Sequence, residues 1–314
     1  MYDLVAMGEI LIDFTQVESA ENKIDILGSA GGAPGNVLVQ GSRLGAKTAY
    51  VGAVGKDMFG EFLKKELAKY DIDTKALVMT REATTTLAIV YFDADGDRSF
   101  DFVRAPGADT MMTMTKEAEE VLDDAKVILY GSLTFAKDPT KTTILSALEK
   151  YRGKKIIAYD PNLRPAIWND DDTMRDAAKL GMKYADILKL GDDEAMFIME
   201  TDSVDAAVEA IKREYGTRII CVTKGKYGCS YYMNGKKGDK PSYSVKTLDT
   251  TGAGDSFFGA LLWKLGKCDY EPDMAQLGEA VQFANASGAF AATRRGTMDA
   301  MGTEAEIRAF MEQF

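Results

Sequence analysis

Histidine is absent from this chain of 314 residues. That absence removes Ser-His-Asp triads, Cys-His nucleophiles and His-ligated zinc or iron centres. Any general base must then be Asp, Glu, Lys, Tyr or Cys. Cysteine is nearly as scarce. Cys221, Cys229 and Cys268 fall in no metal-ligand spacing, and so small and odd a set suits a reducing cytosol better than a disulfide framework. Positive charge is in deficit, with 38 Lys and Arg against 49 Asp and Glu and a net charge of −11, which argues against nucleic acid or an anionic membrane as partner. No apolar run approaches the ~18 residues of a membrane span. The opening MYDLVAMGEILIDF has no basic segment followed by an apolar stretch and a small-residue cleavage site. The expectation is a cytoplasmic protein.

Two phosphate-binding motifs are missing as well. Only Gly252 and Gly254 are spaced as G-x-G, and residue 257 is Phe, so the dinucleotide fingerprint and the protein-kinase glycine loop are absent. The Gly55-Lys56 pair is followed by Asp57 and opens no P-loop. Pro and Ser gather into no linker and no internal repeat occurs, so residues 1–314 read as a single domain.

What is present is alternation. Short apolar runs at 4–8, 48–55, 126–131, 155–160, 186–190 and 218–225 read as buried strands, and 33–44, 58–69, 138–151, 173–184 and 203–214 as helices between them. Such alternation predicts βαβ units on a mainly parallel sheet with helices on both faces. Residues 10–29 and 76–104 break the rhythm, the latter alternating like a hairpin around the turn DADGD (93–97). They are expected to pair into a small β lid. The final GTEAEIRAFMEQF reads as a terminal amphipathic helix.

The stretch LDTTGAGDSFFGALL (248–262) places two glycines and an acid where an apolar helical pattern begins, near Ala253. Free amides at a helix start attract an anion. A carboxylate there finds its reason in the acceptor. An alcohol is a poor nucleophile, and an acid beside the phosphate site can take its proton during attack. The amides of Gly252, Ala253 and Gly254 would hold a phosphoryl group and Asp255 would face the alcohol. Read alone, the Asp could equally be a favoured first-turn acid.

DTTGAGDSFFGALL resembles the C-terminal signature of the PfkB (ribokinase-like) family of carbohydrate kinases. GGAPGNVLVQGSRLGAKTAYVGAVG (31–55), extended by KDMFG, resembles its N-terminal signature, and the likeness runs from MGEILIDF to TRRGT. The resemblance implies a three-layer α/β/α sandwich with a β lid, and ATP-dependent phosphorylation of a hydroxyl with Asp255 as base and residues 252–255 as anion hole. It implies acceptor contacts for Asp13, Gly31, Gly32, Asn36, Arg104, Asn162 and Arg164. On the nucleotide side it implies Lys189, Glu194 (organising Mg²⁺), Thr223, Gly225, Gly228, Asn285 and Gly288. The family's N-x-x-E stands here as Gly191-Asp192-Asp193-Glu194, without the Asn. Asp249, Thr251, Ala291, Arg294 and Gly296 match the family's loop for a monovalent cation such as K⁺, although Ala300 replaces one side-chain ligand.

Within the family, KTLDTTGAGDSF, NLRPAIW, FANASGA and TRRGT are most similar to the fructokinases, which implies the 6-hydroxyl of fructose as acceptor. A 2-keto-3-deoxygluconate kinase, with Arg104 and Arg164 facing a carboxylate, stays open, as does a sugar sensor that has kept the fold without turnover. The lid hairpin could also clasp a second copy, as in ribokinase-like proteins.

Overall fold

The structure, a computed structural model, describes residues 1–17, 24–92 and 98–314. The first half runs β1 (Tyr2–Met7), β2 (Leu11–Val17), β3 (Asp25–Gly31), α1 (Ala33–Arg43), β4 (Thr48–Gly55), α2 (Met58–Lys69), β5 (Asp73–Thr80), β6 (Leu87–Phe92), β7 (Arg98–Val103), α3 (Lys116–Asp123) and β8 (Ala125–Gly131). It continues with α4 (Thr140–Tyr151), β9 (Ile156–Asp160), α5 (Asp171–Met182), β10 (Ile187–Gly191), α6 (Asp192–Met199) and α7 (Val204–Tyr215). The last third holds β11 (Ile219–Thr223), β12 (Cys229–Met233), β13 (Lys236–Lys240), α8 (Ala253–Leu265), α9 (Met274–Ala292) and α10 (Glu304–Met311).

Among the described residues, nine strands form the main sheet in the order β13-β12-β11-β10-β9-β8-β1-β4-β5. Neighbours from β5 to β11 are parallel, and β12 and β13 add an antiparallel edge. Both faces are buried, which is why these strands read as continuous apolar runs. In β1, Leu4 and Ala6 join the core shared with α1, α2, α8, α9 and α10, while Val5 and Met7 join the core shared with α3 to α7. This is the expected three-layer arrangement. Chain order reverses beside β1, whose neighbours are β4 and β8. In open α/β sheets ligands collect at such a switch point, beyond the carboxyl ends of the strands.

The lid is a second sheet, β3-β2-β6-β7. The expected lid segments 10–29 and 76–104 therefore need one correction: residues 76–80 belong to β5, which pairs with β4 at the edge of the main sheet. An edge strand is covered on fewer sides, so its half-exposed pattern imitates a lid strand. The turn 93–97, and 18–23 within the other lid segment, lie outside the described residues.

Helix starts follow local chemistry. Asp57, Thr115, Asp170, Ser203, Asp273 and Thr303 each accept an amide of the first turn they precede. Helix α8 begins differently. Its N-cap is Gly252, at φ 76, and no side chain caps it.

Candidate active site

Gly252 turns the chain in the left-handed region that glycine tolerates, so α8 opens abruptly. No hydrogen bond among the described residues occupies the amides of Gly252, Gly254 or Asp255. The amide of Ala253, expected to share the anion hole, is donated to the Thr250 carbonyl at 3.2 Å. The turn that lets α8 start at Gly252 brings that carbonyl back onto it, leaving the donors on either side open.

Asp255 sits in this first turn and keeps part of its surface accessible. Helix α1 supplies its partner: Asn36 Nδ2 donates to Asp255 Oδ2 at 2.7 Å. One turn further on, Gln40 meets the Ser256 hydroxyl at 2.9 Å, so two side chains of α1 grip consecutive residues of α8. Burial raises the Asp255 pKa, and Asn36, Lys189 and Arg164 oppose that rise. The outcome is an acid held near cations and a donor, with more affinity for a proton than an exposed Asp.

Of the residues expected on the acceptor side, Asp13 lies near the start of β2, and Asn162 and Arg164 lie in the loop that leaves β9. Asp13 lies on β2 opposite Ser29, two positions from the Leu11–Gly31 pair. A Cβ on Gly31 would lie 1.9 Å from Asp13 Oδ2, so glycine is what leaves the carboxylate its space. Gly32, at φ +109, passes close to the Glu9 carbonyl. Burial pushes Asp13 up to about 6, with Arg164 pulling it back and Asp255 adding to the rise. Asp13, Asp255 and Arg164 thus act on one another electrostatically. Asn162 precedes Arg164 in a left-handed conformation, φ 44.

Arg104, at the root of the lid, is committed to a partner the sequence reading did not weigh. Its Nε donates to Asp109 at 2.9 Å and its Nη2 to the same oxygen, with the Leu133 carbonyl at 3.3 Å. Glu9 was likewise missed. It is buried, its Oε2 has no hydrogen-bond partner among the described residues, and burial with nearby Asp109 pushes its pKa up to about 7 against Arg104 and Arg164. Nothing in MGEILIDF separated Glu9 from a surface acid.

On the nucleotide side, Lys189 of β10 pairs with Asp160 at 2.9 Å, both almost fully buried. Burial opposes the lysine's charge, but Asp160, Glu194 and Asp255 outweigh it and raise its pKa. A Cβ on Gly254 would lie 3.2 Å from Lys189 Nζ, which places the ammonium at the first turn of α8. Asp160, the last residue of β9, has no role in the sequence analysis; an acid at the carboxyl end of a parallel strand was the available signal. Glu194 turns both oxygens to backbone, Oε1 accepting the Leu163 amide at 2.7 Å and Oε2 the Gly191 amide at 2.8 Å.

Thr223 ends β11 and donates to the Leu190 carbonyl at 3.3 Å. The turn between Gly225 and Gly228 follows, and Gly228 lies so close to the Lys240 carbonyl that a Cβ would meet it at 2.1 Å. Asn285, expected on the nucleotide side, gives its amide to the carbonyls of Lys240 and Pro241, both at 3.1 Å. Gly288 lets α9 approach the Ala253 carbonyl. The two segments expected to hold a monovalent cation meet at Leu248 and Ala292. Leu248 donates to the Ala292 carbonyl at 2.9 Å, and Asp249 Oδ1 accepts the Thr251 amide at 3.0 Å and hydroxyl at 2.7 Å. Arg294 donates its amide to the Ala291 carbonyl at 3.0 Å and lays its guanidinium 3.9 Å over the Phe290 ring, and Gly296 turns at φ 89.

Residues 1–304 match the pfkB family carbohydrate kinase model. Fructokinase-1 of Oryza sativa subsp. japonica is 37% identical over 315 residues, with 98% of this chain and 97% of that protein covered. The crystal structure of a fructokinase with bound ATP from Xylella fastidiosa superposes with a TM-score of 0.90 at 28% identity, over 100% of this chain and 99% of that one. A fructokinase from Vibrio cholerae O395, in its fructose, ADP and calcium ion bound form, gives a TM-score of 0.85 at 27% identity, over 98% and 99% of the two chains. An acid beside open amides, a buried lysine next to them and this likeness agree: the chain belongs to the pfkB family of carbohydrate kinases, phosphotransferases that act on sugars.

Proposed function

We propose that the chain is an ATP-dependent fructokinase that moves the terminal phosphoryl group of ATP to the 6-hydroxyl of D-fructose. The observation that carries this reading is the Asn36–Asp255 hydrogen bond at the open first turn of α8, with Lys189 Nζ beside Gly254. Charge on the transferring group would be met by the amides of Gly252, Gly254 and Asp255 and by Lys189, since such transfer needs positioning and neutralisation above all. Asp255 would take the hydroxyl proton as the new O–P bond forms and the bond to ADP breaks. Asn36 stabilises its ionised form and holds it toward the acceptor side.

Acceptor choice follows from charge. A 2-keto-3-deoxygluconate molecule brings a carboxylate that needs a cation. Arg104 is already neutralised by buried Asp109, and the charge of Arg164 acts on Asp13 and Asp255. A neutral hexose with hydroxyls for Asp13, Asn36 and Asn162 is the better fit.

Mg²⁺ would travel with the ATP phosphates. Asp160 suits such a cation: its Oδ1 is buried without a hydrogen-bond partner among the described residues, and burial, against Lys189 and with Glu194 and Asp255 adding, pushes its pKa up to about 7. The ion would supply charge neutralisation at the phosphates. The 249–251 and 291–296 segments would hold K⁺ through their oxygens. Ile26, Leu27 and Val103 expose apolar surface on the lid, which favours a clasp between two copies. Three free cysteines fit a cytoplasmic setting.

Coupled ADP release with fructose, 2-keto-3-deoxygluconate, ribose and adenosine tests the reading. Fructose should exceed the other acceptors. Release with 2-keto-3-deoxygluconate alone would overturn the acceptor assignment, and release with none would leave the sensor reading.

A further inference from the structure

The carboxylate of Glu194 reaches two elements at once. Its Oε2 takes the Gly191 amide at the start of α6, where a glycine has no side chain to cap with. Its Oε1 takes the amide of Leu163, in the loop that leaves β9. On the other side of Leu163, its carbonyl accepts from Arg164 Nη1 at 2.9 Å. A continuous path therefore runs from Glu194 through the Leu163 backbone to the Arg164 guanidinium. That guanidinium acts electrostatically on Asp13, Asp255 and Glu9. The start of the same loop is held separately, by Lys189 on Asp160.

We propose that Glu194 is a positioning residue of the acceptor site, which orients the Arg164 side chain by fixing the Leu163 backbone. This rests on reading Asp13 and Arg164 as sugar contacts. The usual family role on the phosphate and metal side asks for an oxygen turned toward the nucleotide, whereas both Glu194 oxygens bind main-chain amides. A carboxylate serves here because it accepts twice, and hydrogen bonds to a charged acceptor are strong. Gln would turn an NH₂ group toward one of the two amides, and Asp is too short to span both.

The full-length chain carrying Glu194→Gln or Glu194→Asp tests this, with fructose binding measured by calorimetry without nucleotide or divalent metal. Each variant is expected to weaken fructose binding about tenfold, the scale of one lost charge-assisted hydrogen bond. The Mg²⁺ concentration for half-maximal turnover should not move. In an Arg164→Met background the Glu194→Gln effect should vanish, because the path ends at Arg164. Unchanged fructose binding, a shifted Mg²⁺ requirement with binding intact, or an undiminished effect in the Arg164→Met background would each overturn the proposal. A wild-type chain that binds no fructose would instead overturn the acceptor reading. Thermal denaturation of each variant reports folding, and Glu194→Asp keeps the charge should Glu194→Gln fold poorly.

Discussion

Asn36 and Asp255 stand 219 positions apart in sequence and 2.7 Å apart in the fold, donor on acceptor. The bond crosses from α1 to α8 and joins the two segments that carry the family's signatures. It ties the floor of the acceptor side to the group that would receive the proton.

Asp255→Asn keeps the shape of that contact and removes the base. Turnover should fall ~10²-fold or more with ATP and sugar binding retained. Steady-state kinetics with calorimetry check this, and near-normal turnover would refute the assignment.

Asn36→Ala removes a donor that opposes the upward shift of Asp255. The Asp255 pKa should then climb further, and a base works only above its pKa. The acidic limb of the kcat/KM profile is expected to move to higher pH. An unmoved limb would mean that Asn36 does not tune the base.

Gly31→Ala puts a methyl group 1.9 Å from Asp13 Oδ2 in the present geometry, so the carboxylate must shift. An ångström of misplacement can cost up to ~10²-fold, and the sugar KM should rise by about tenfold or more while the ATP KM stays put. Equal changes in both constants would point to a general disturbance instead.

Lys189→Met strands Asp160 in a buried site, and stability should drop on the order of 3–5 kcal/mol above neutral pH. Lys189→Met combined with Asp160→Leu should recover much of that stability but little activity. Chemical denaturation and turnover of both variants separate the two effects.

Glu9 gives a pH dependence of stability. Its pKa lies at about 7 in the folded chain against an ordinary 4.5, raised mainly by burial. Between those values the folded state keeps a proton that the unfolded chain releases. The stability this group contributes therefore falls as pH rises through the window and is gone above the folded value. Glu9→Gln should lose less stability than wild type between about pH 4.5 and about pH 7. A melting-temperature difference that is the same at every pH would sink this account.

The GAGD turn was legible because its chemistry is local: a glycine that allows the turn, a helix start and an acid one step in. The three-layer sheet was legible because buried parallel strands read as apolar runs. Residues 76–80 were misplaced because edge position, which local pattern does not carry, decides a half-exposed strand. Asp109 and Asp160 escaped notice because a buried ion pair depends on which strands are neighbours. Arg104 and Lys189 look like solvated cations until those neighbours are known.

Pattern and spacing alone determined the strand–helix alternation, the absence of any histidine chemistry and the acid at the head of α8, since each depends on residues within one or two turns of chain. The tertiary structure decided which oxygen meets which donor: Asn36 on Asp255, Asp160 on Lys189, Glu194 on the Leu163 amide. Electrostatic energy depends on distance and burial, and both are properties of the folded packing.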